Sequence, residues 1–147
     1  MERNTLTKQT LEERLGTVPI FRTLGLRQEA VSEGKATLIA PYDRRYDGIF
    51  ESFHGGLLMT LADTAACVAV LTLAGASAAI TTTDMNIRFL APCGSDCMAK
   101  ATVIKFGKTV CPVSVRLCDA NGTQVAVAQV TYMRLDQAGL QTSEEKS

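Results

Sequence analysis

Asp63 is the one acidic side chain in a long apolar stretch that follows two glycines, Gly55 and Gly56. Burying a lone carboxylate is costly, so it needs a partner or a chemical role. The alternative is an aspartate at the rim of the core that reaches solvent. If the glycines begin a helix, its unpaired N–H groups and the positive end of its dipole can bind a ligand oxygen. This pairing of an oxygen-binding helix start with one acid favours a functional role for Asp63.

The residues around Asp63 have the pattern of a buried helix from Leu57 to about Gly75, and no proline interrupts it. Apolar and small residues recur at steps of three and four, which places them on one face of a helix. They are Leu57, Leu58, Leu61, Thr64, Ala65, Val68 and Leu71. The apolar run 64–80 is short for a membrane span and directly follows a charged residue, so we expect no membrane segment.

Shorter elements precede the central helix. Residues 4–15 have the pattern of an amphipathic helix, and residues 20–24 that of a further helical turn. Residues 26–40 predict a strand or hairpin that is broken by a turn at 32–35. The polar loop 42–53 then leads into the central helix, either as a solvated connection or as the wall of a pocket.

Four strands are predicted after the helix, at about 79–90, 95–106, 109–119 and 123–134. Asn121-Gly122 marks a hairpin turn between the last two strands. Pro112 lacks an N–H, so its strand is expected to be an edge at that point or to bulge. One long helix followed by antiparallel strands predicts an α+β fold.

The chain is expected to form one domain over residues 1–147, with a helical leader at about 1–19 and a disordered tail at about 137–147. The formal net charge is zero, so we expect no attraction to nucleic acid or acidic membranes. The N-terminus has no apolar core of a signal peptide, which predicts a cytoplasmic protein.

The five cysteines lack the close spacing of a zinc site. We expect buried, reduced thiols, with a disulfide between Cys93 and Cys97 as an open alternative. The set comprises Cys67, Cys93, Cys97, Cys111 and Cys118.

The glycine pair and the acid resemble a known signature. Hotdog-fold acyl-CoA thioesterases, most closely the phenylacetic-acid-degradation (PaaI-like) branch, carry segments similar to His54-Gly55-Gly56 and Leu61-Ala62-Asp63-Thr64-Ala65. The similarity continues through residues 82–92 and covers roughly residues 20–134. It implies a hotdog fold, in which an antiparallel sheet wraps around one long central helix. It also implies hydrolysis of an acyl- or aryl-acyl-CoA thioester to the acid and free CoA.

The resemblance assigns catalytic roles to three residues. Asp63 is expected to act as general base or nucleophile, and the Gly55 N–H to polarise the thioester carbonyl. His54, the only histidine, either holds the turn before the helix or orients the thioester.

The spacing of Gly55 and Asp63 has a consequence for assembly. Eight residues of helix at 1.5 Å rise separate them by about 12 Å, too far for one reacting carbon to touch both. A two-fold dimer, with Gly55 from one chain and Asp63 from the other, solves this. The resemblance implies such a homodimer, and a homotetramer of two such dimers.

The sequence departs from the related branch at two positions. An asparagine common six residues before the histidine is replaced by Gly48, and a glycine three residues before it by Glu51. Either Asp47 or Glu51 is expected to take over the polar role. Gly56, at the helix start, is counted with these residues as substrate-binding.

The CoA part of the substrate carries phosphates that need local cations. Arg88 and the glycine turn with Lys105 and Lys108 are the candidates, although an ordinary solvated hairpin is an equal alternative. Further candidate pocket or ligand contacts from the strands are Thr81–Thr83 and Thr109. No metal and no cofactor beyond the substrate's own CoA is expected. The open alternatives are a non-catalytic acyl-CoA-binding module and, less favoured, a hotdog dehydratase.

Overall fold

The fold is built around one antiparallel sheet that packs on a long central helix. The computed structural model describes residues 2–135, with side chains from Lys8 onward; the predicted tail 137–147 lies outside the described residues. The helices are α1 (Glu2–Gly16), α2 (Pro19–Thr23) and α3 (Gly55–Ala74), with a short 3-10 turn at Arg44–Tyr46. The strands are β1 (Arg27–Ser32), β2 (Lys35–Ala40), β3 (Ile80–Phe89), β4 (Cys97–Val103), β5 (Val110–Cys118) and β6 (Gln124–Arg134).

All neighbouring strands pair antiparallel, in the order β1-β2-β4-β5-β6-β3. Helix α3 contacts every strand of this sheet. The hotdog arrangement predicted from the sequence is therefore confirmed. Strands β1 and β3 are the two edges within the described sheet.

Helix α3 is the centre of the hydrophobic core. Its side chains facing the sheet are largely alanine and valine, whose small size lets the sheet approach the helix closely. The buried members are Leu58, Leu61, Ala62, Ala65, Ala66, Val68, Ala69, Val70 and Leu71. The helix is long and apolar enough to cross a membrane, but 50% of its most apolar window is buried inside the domain.

Strand β3 carries a β-bulge that determines which of its side chains face α3. Thr82 pairs with Tyr132 and Asp84 with Thr131, so Thr83 is an extra residue without a partner in the ladder. Before the bulge, the half-buried residues are Ile80 and Thr82; after it, they are Met85 and Ile87, so the alternation has shifted by one residue. The bulge thereby keeps the apolar side chains on the helix side along the whole strand.

The structure refines two predictions from sequence. Strand β4 ends at Val103 rather than at residue 106, because residues 104–109 form the glycine turn. Strand β5 lies inside the sheet, but its pairing with β4 stops at Val113, which faces Val103, the last residue of β4. At the next position the Ile104 N–H, just past the end of β4, donates to the Pro112 carbonyl at 2.8 Å. The missing proline N–H therefore leaves no carbonyl of β4 without a donor.

All five cysteines are free thiols. Cys93, Cys97 and Cys111 are buried, whereas Cys67 and Cys118 are half-buried. The hydrogen-bonding contact with Cys97 lowers the pKa of Cys93 to about 7.

Candidate active site

The carboxylate of Asp63 is held by two hydroxyl groups from the sheet. Thr82 Oγ1 donates to Asp63 Oδ1 at 2.7 Å, and the Tyr132 hydroxyl lies 2.8 Å from the same oxygen. The Tyr132 hydroxyl is also 3.0 Å from the Asp63 backbone carbonyl. Within the described part of the chain, Oδ2 receives no hydrogen bond. The half-buried acid thus has partners on one oxygen and none on the other.

Tyr132 is a buried phenol beside this acid, with 5% of its surface exposed. Burial, followed by the nearby Cys67 and Asp63, raises the pKa of Tyr132 far above its ordinary value. Burial likewise raises the pKa of the Cys67 thiol, one helical turn after Asp63. Both groups therefore stay neutral, and Tyr132 keeps the proton that it donates.

The start of α3 is organised by His54. Its backbone precedes the first helical residue, and its ring nitrogen Nδ1 accepts the Gly56 N–H at 2.9 Å. Within residues 2–135 the Gly55 N–H has no acceptor, so it is available to a ligand. His54 itself is fixed by its N–H, which donates to the Tyr46 carbonyl at 3.0 Å.

An open cleft lies beside the Gly55 N–H. The Phe89 ring covers Gly55 so closely that an added Cβ would lie 3.0 Å from Phe89 Cζ. The remaining walls are largely apolar and come from the segments on either side: Ser52, Phe53, Leu58, Leu90, Ala91, Pro92 and Cys93. A ligand carbonyl can reach the first turn of α3 through this cleft.

The loop before the helix contains the positions that depart from the related branch. The Asp47 carboxylate accepts the Tyr42 hydroxyl at 2.7 and 2.9 Å, so it is engaged within the loop. Gly48 packs against His54, where an added Cβ would lie 3.6 Å from the His54 Cα. Glu51 is exposed at the tip of the loop. The position of the missing asparagine thus adjoins the helix start but offers no side chain.

The candidate cations lie at opposite ends of β3. The turn with Lys105 and Lys108 lies at the Ile80 end, because the Arg134 N–H donates to Thr109 O at 2.7 Å and Arg134 pairs with Ile80. Arg88 instead precedes Phe89 at the other end of the strand. The two lysines are therefore on the Asp63 side, and Arg88 on the Gly55 side.

The remaining candidates are not gathered at Asp63. Thr83, the extra residue of the bulge, is exposed and its hydroxyl donates to the Thr131 carbonyl at 3.2 Å. Thr109 is exposed beside Lys108. Among the described residues, no group of three or more His, Cys, Asp and Glu side chains could hold a metal ion.

Sequence reasoning missed Tyr132 and named Thr82 only within the run Thr81–Thr83 of candidate pocket contacts, without linking it to Asp63. A signal for Tyr132 was present: it follows Ala128 and Val130 at two-residue steps on the inward face of β6, and a buried phenol needs a polar partner. Asp63 was the one acid expected in the core. Tyr132 is 69 residues from Asp63, so only the strand pairing reveals their contact.

The sequence and the fold of this chain are similar to those of known proteins. A model of the thioesterase superfamily matches residues 50–126. A protein of Halobacterium salinarum that carries the provisional name of esterase is 32% identical over 120 residues, covering 74% of this chain and 80% of that protein.

Solved structures share the fold over most of the chain. A thioesterase family protein from Silicibacter pomeroyi is 27% identical, with a TM-score of 0.82 over 88% of this chain and 98% of that one. The E. coli PaaI protein from the phenylacetic acid degradation operon has a TM-score of 0.83 over 90% of this chain and 96% of its own. Its 22% identity supports likeness in fold alone.

Proposed function

Because the chain belongs to the thioesterase superfamily and is a thioester hydrolase, we propose that its substrates are acyl- or aryl-acyl-CoA thioesters. We propose further that each active site forms between two copies of the chain. The free Gly55 N–H of one protomer binds the thioester carbonyl oxygen. Asp63 of its partner acts on water as a base or attacks the carbonyl carbon.

The observation that carries this proposal is the position of β3. This ten-residue strand is an edge of the sheet and has only β6 as a neighbour in the described chain. The two halves of the site are attached to its two ends: Thr82 holds Asp63, and Phe89 covers Gly55. A long unpaired edge strand is a ready surface for pairing with a second copy.

Antiparallel pairing of β3 with its own copy would complete the site. If Asn86 lies on the two-fold axis and faces its own copy, the extra residue Thr83 brings Thr82 of one protomer opposite Phe89 of the other. Asp63 of one protomer then approaches Gly55 of the other. Within a single chain the two residues cannot meet, because about 12 Å of helix separates them.

Exposed apolar side chains support burial of this end of the molecule. Ile49 and Phe50 form a loop tip with 95% and 78% of their surfaces exposed, and Phe89 and Leu90 lie 52% and 56% exposed near Gly55. Contiguous exposed apolar groups are typical of association surfaces. We extend the proposal to a cytoplasmic homotetramer of two such dimers, with no cofactor beyond the substrate's CoA.

The CoA phosphates are assigned to the turn at the Ile80 end of β3. Lys105 and Lys108 are exposed at this turn. It lies near the end of β3 where Thr82 contacts Asp63. Arg134 lies over the Phe106 ring at 4.4 Å and gives this turn a further cation. The protein has zero net charge, so binding of the CoA phosphates needs a local cluster of positive side chains. Lys105, Lys108 and Arg134 form such a cluster.

The substrate class is tested by thiol release from short, medium and aryl acyl-CoAs, with native protein and Asp63→Asn. We expect turnover with at least one acyl-CoA and a loss of orders of magnitude in the variant. Tight binding of acyl-CoA without turnover would instead identify a binding module, for which the absent side chain at Gly48 is the supporting observation.

The shared site is tested by mixing two inactive variants. In Asp63→Asn, the acid is lost; in Gly55→Pro, the donor N–H is lost, while proline remains compatible with the first helical position. A mixed dimer contains one intact site only if the two residues come from different chains. Random exchange would then restore about a quarter of the native activity. No recovery on confirmed exchange would show that each site lies within one chain.

A further inference from the structure

The contacts of Asp63 distinguish its two carboxylate oxygens, and this inference rests on the proposed function. We infer that Tyr132 and Thr82 are positioning residues that hold Oδ1 of Asp63, and that Oδ2 is the oxygen that reacts. Nothing in the sequence pattern distinguishes the two oxygens. The hydrogen bonds of the folded chain do distinguish them, because both known donors contact Oδ1.

Two donors converge on Oδ1 from adjacent strands. Thr82 and Tyr132 are directly paired across β3 and β6, so their hydroxyls reach the helix side by side. They lie 2.7 and 2.8 Å from Oδ1. An oxygen that accepts two hydrogen bonds is fixed in place and has less charge available for a third partner.

Tyr132 also fixes the backbone of the acid. Its hydroxyl lies 3.0 Å from the Asp63 carbonyl oxygen as well as close to Oδ1. The single hydroxyl proton of this buried phenol is shared between the Asp63 carbonyl and Oδ1, so one side chain of β6 contacts both the backbone and the carboxylate of the acid. Because burial raises the pKa of this phenol, it keeps its proton and acts as a hydrogen-bond donor to Asp63.

The bulge is what allows this arrangement. Thr83 is the extra residue, and without it the side chains on one side of the bulge would point to the opposite face of the sheet. The bulge lets Thr82 face Asp63 while Met85 and Ile87, further along the strand, also pack on the helix side.

Oδ2 serves either route of hydrolysis. As a base, it takes a proton from water while the water oxygen bonds to the thioester carbonyl carbon; the C–S bond then breaks, and the CoA thiolate takes up the proton held by Asp63, which restores the carboxylate. As a nucleophile, Oδ2 itself bonds to that carbon and the thiolate leaves. Water then cleaves the resulting anhydride, which releases the acid and restores the carboxylate.

The test compares Tyr132→Phe and Thr82→Val with native protein, on acyl-CoA and on a small thioester, S-acetyl-N-acetylcysteamine. Each substitution removes a donor and keeps the shape of the side chain. We expect kcat to fall about tenfold or more in each, with KM unchanged, since a hydrogen bond to a charged group is lost. Thr82→Ser retains the donor and should retain the rate; Thr102→Val, an exposed residue of β4, is the matched control.

A double-mutant cycle separates positioning from general structural damage. If Tyr132 and Thr82 act only through Asp63, neither substitution should change the residual rate of Asp63→Ala. Equal losses in the native and Asp63→Ala backgrounds, or losses confined to KM, would overturn the inference.

A second readout needs no activity. The effect of Tyr132→Phe on the unfolding midpoint should be smaller in Asp63→Ala than in the native chain, because the acceptor is already absent. Additive shifts would refute the contact. Hydrolysis of the small thioester without hydrolysis of any acyl-CoA would refute the proposed substrate class only, and the rates on the small thioester would still decide the role of Tyr132.

Discussion

His54 Nδ1 accepts the Gly56 N–H at 2.9 Å, so the histidine ring takes the donor of the second glycine and leaves that of Gly55 free. The cap is tight: a Cβ on Gly56 would lie 3.1 Å from the same nitrogen. Two adjacent glycines therefore have different tasks. Gly56 lets the cap form, and Gly55 presents an N–H to the cleft.

A role for His54 as a cap predicts different results for two substitutions. His54→Asn keeps an oxygen that can cap the helix and should preserve stability and kcat; His54→Ala should lose about 1 kcal/mol of unfolding free energy. Chemical denaturation and initial rates measure both. If His54→Asn is stable but inactive, the imidazole instead orients the thioester.

The Gly55 N–H is tested by two substitutions that differ in one donor. Gly55→Ala and Gly55→Pro both place a Cβ against the Phe89 ring, but only proline removes the N–H. We expect Gly55→Pro to lose roughly 10²–10³ in kcat, the usual cost of one oxyanion donor, relative to Gly55→Ala. Equal rates for the two variants would exclude this N–H from catalysis.

The lysine turn is tested by charge reversal. Lys105→Glu and Lys108→Glu should raise KM for acyl-CoA several-fold, most strongly at low salt, because they repel its phosphates. KM for S-acetyl-N-acetylcysteamine, which lacks phosphate, should not change. Lys100→Glu provides the control, since it is equally exposed in the middle of β4. An unchanged KM for acyl-CoA would count against the phosphate contact.

Tyr132 should make stability depend on alkaline pH. Its pKa is raised in the folded state, so the folded chain keeps a proton that the unfolded chain loses above about pH 10. The stability contributed by this group is therefore complete below that pH and declines above it by about 1.4 kcal/mol per pH unit. Unfolding measured from about pH 9 to pH 11 should show a shallower decline in Tyr132→Phe. Equal slopes would contradict the prediction.

Much of the fold could be predicted because its signals are local. The three- and four-residue spacing around Asp63 indicated α3, and alternation indicated β3 to β6 within a few residues of their ends. The bulge at Thr83 has no such signal. It arises from packing, because Thr82 and the later residues Met85 and Ile87 must all face the same helix.

The site could be predicted only in part for the same reason. Gly55 and Asp63 are on one helix, so their spacing is readable in the sequence. The partners of Asp63 come from β3 and β6, and Tyr132 reaches it across 69 residues. Asp47 and Glu51 were the two candidates to replace a missing polar group, and the hydrogen bond from the Tyr42 hydroxyl to the Asp47 carboxylate could not be read without the fold of the loop.

The order of the elements along the chain affects how the protein is made. Helix α3 is complete at Ala74, whereas the four strands that cover most of it end at Arg134. At roughly 5–20 residues per second, a ribosome needs several seconds to add them. During that interval a helix of membrane-spanning length is without four of the six strands that contact it. Asp63, near its middle, opposes insertion into a bilayer by about 2.5–3.5 kcal/mol. The Asp63 carboxylate thus also disfavours mistargeting of the nascent chain.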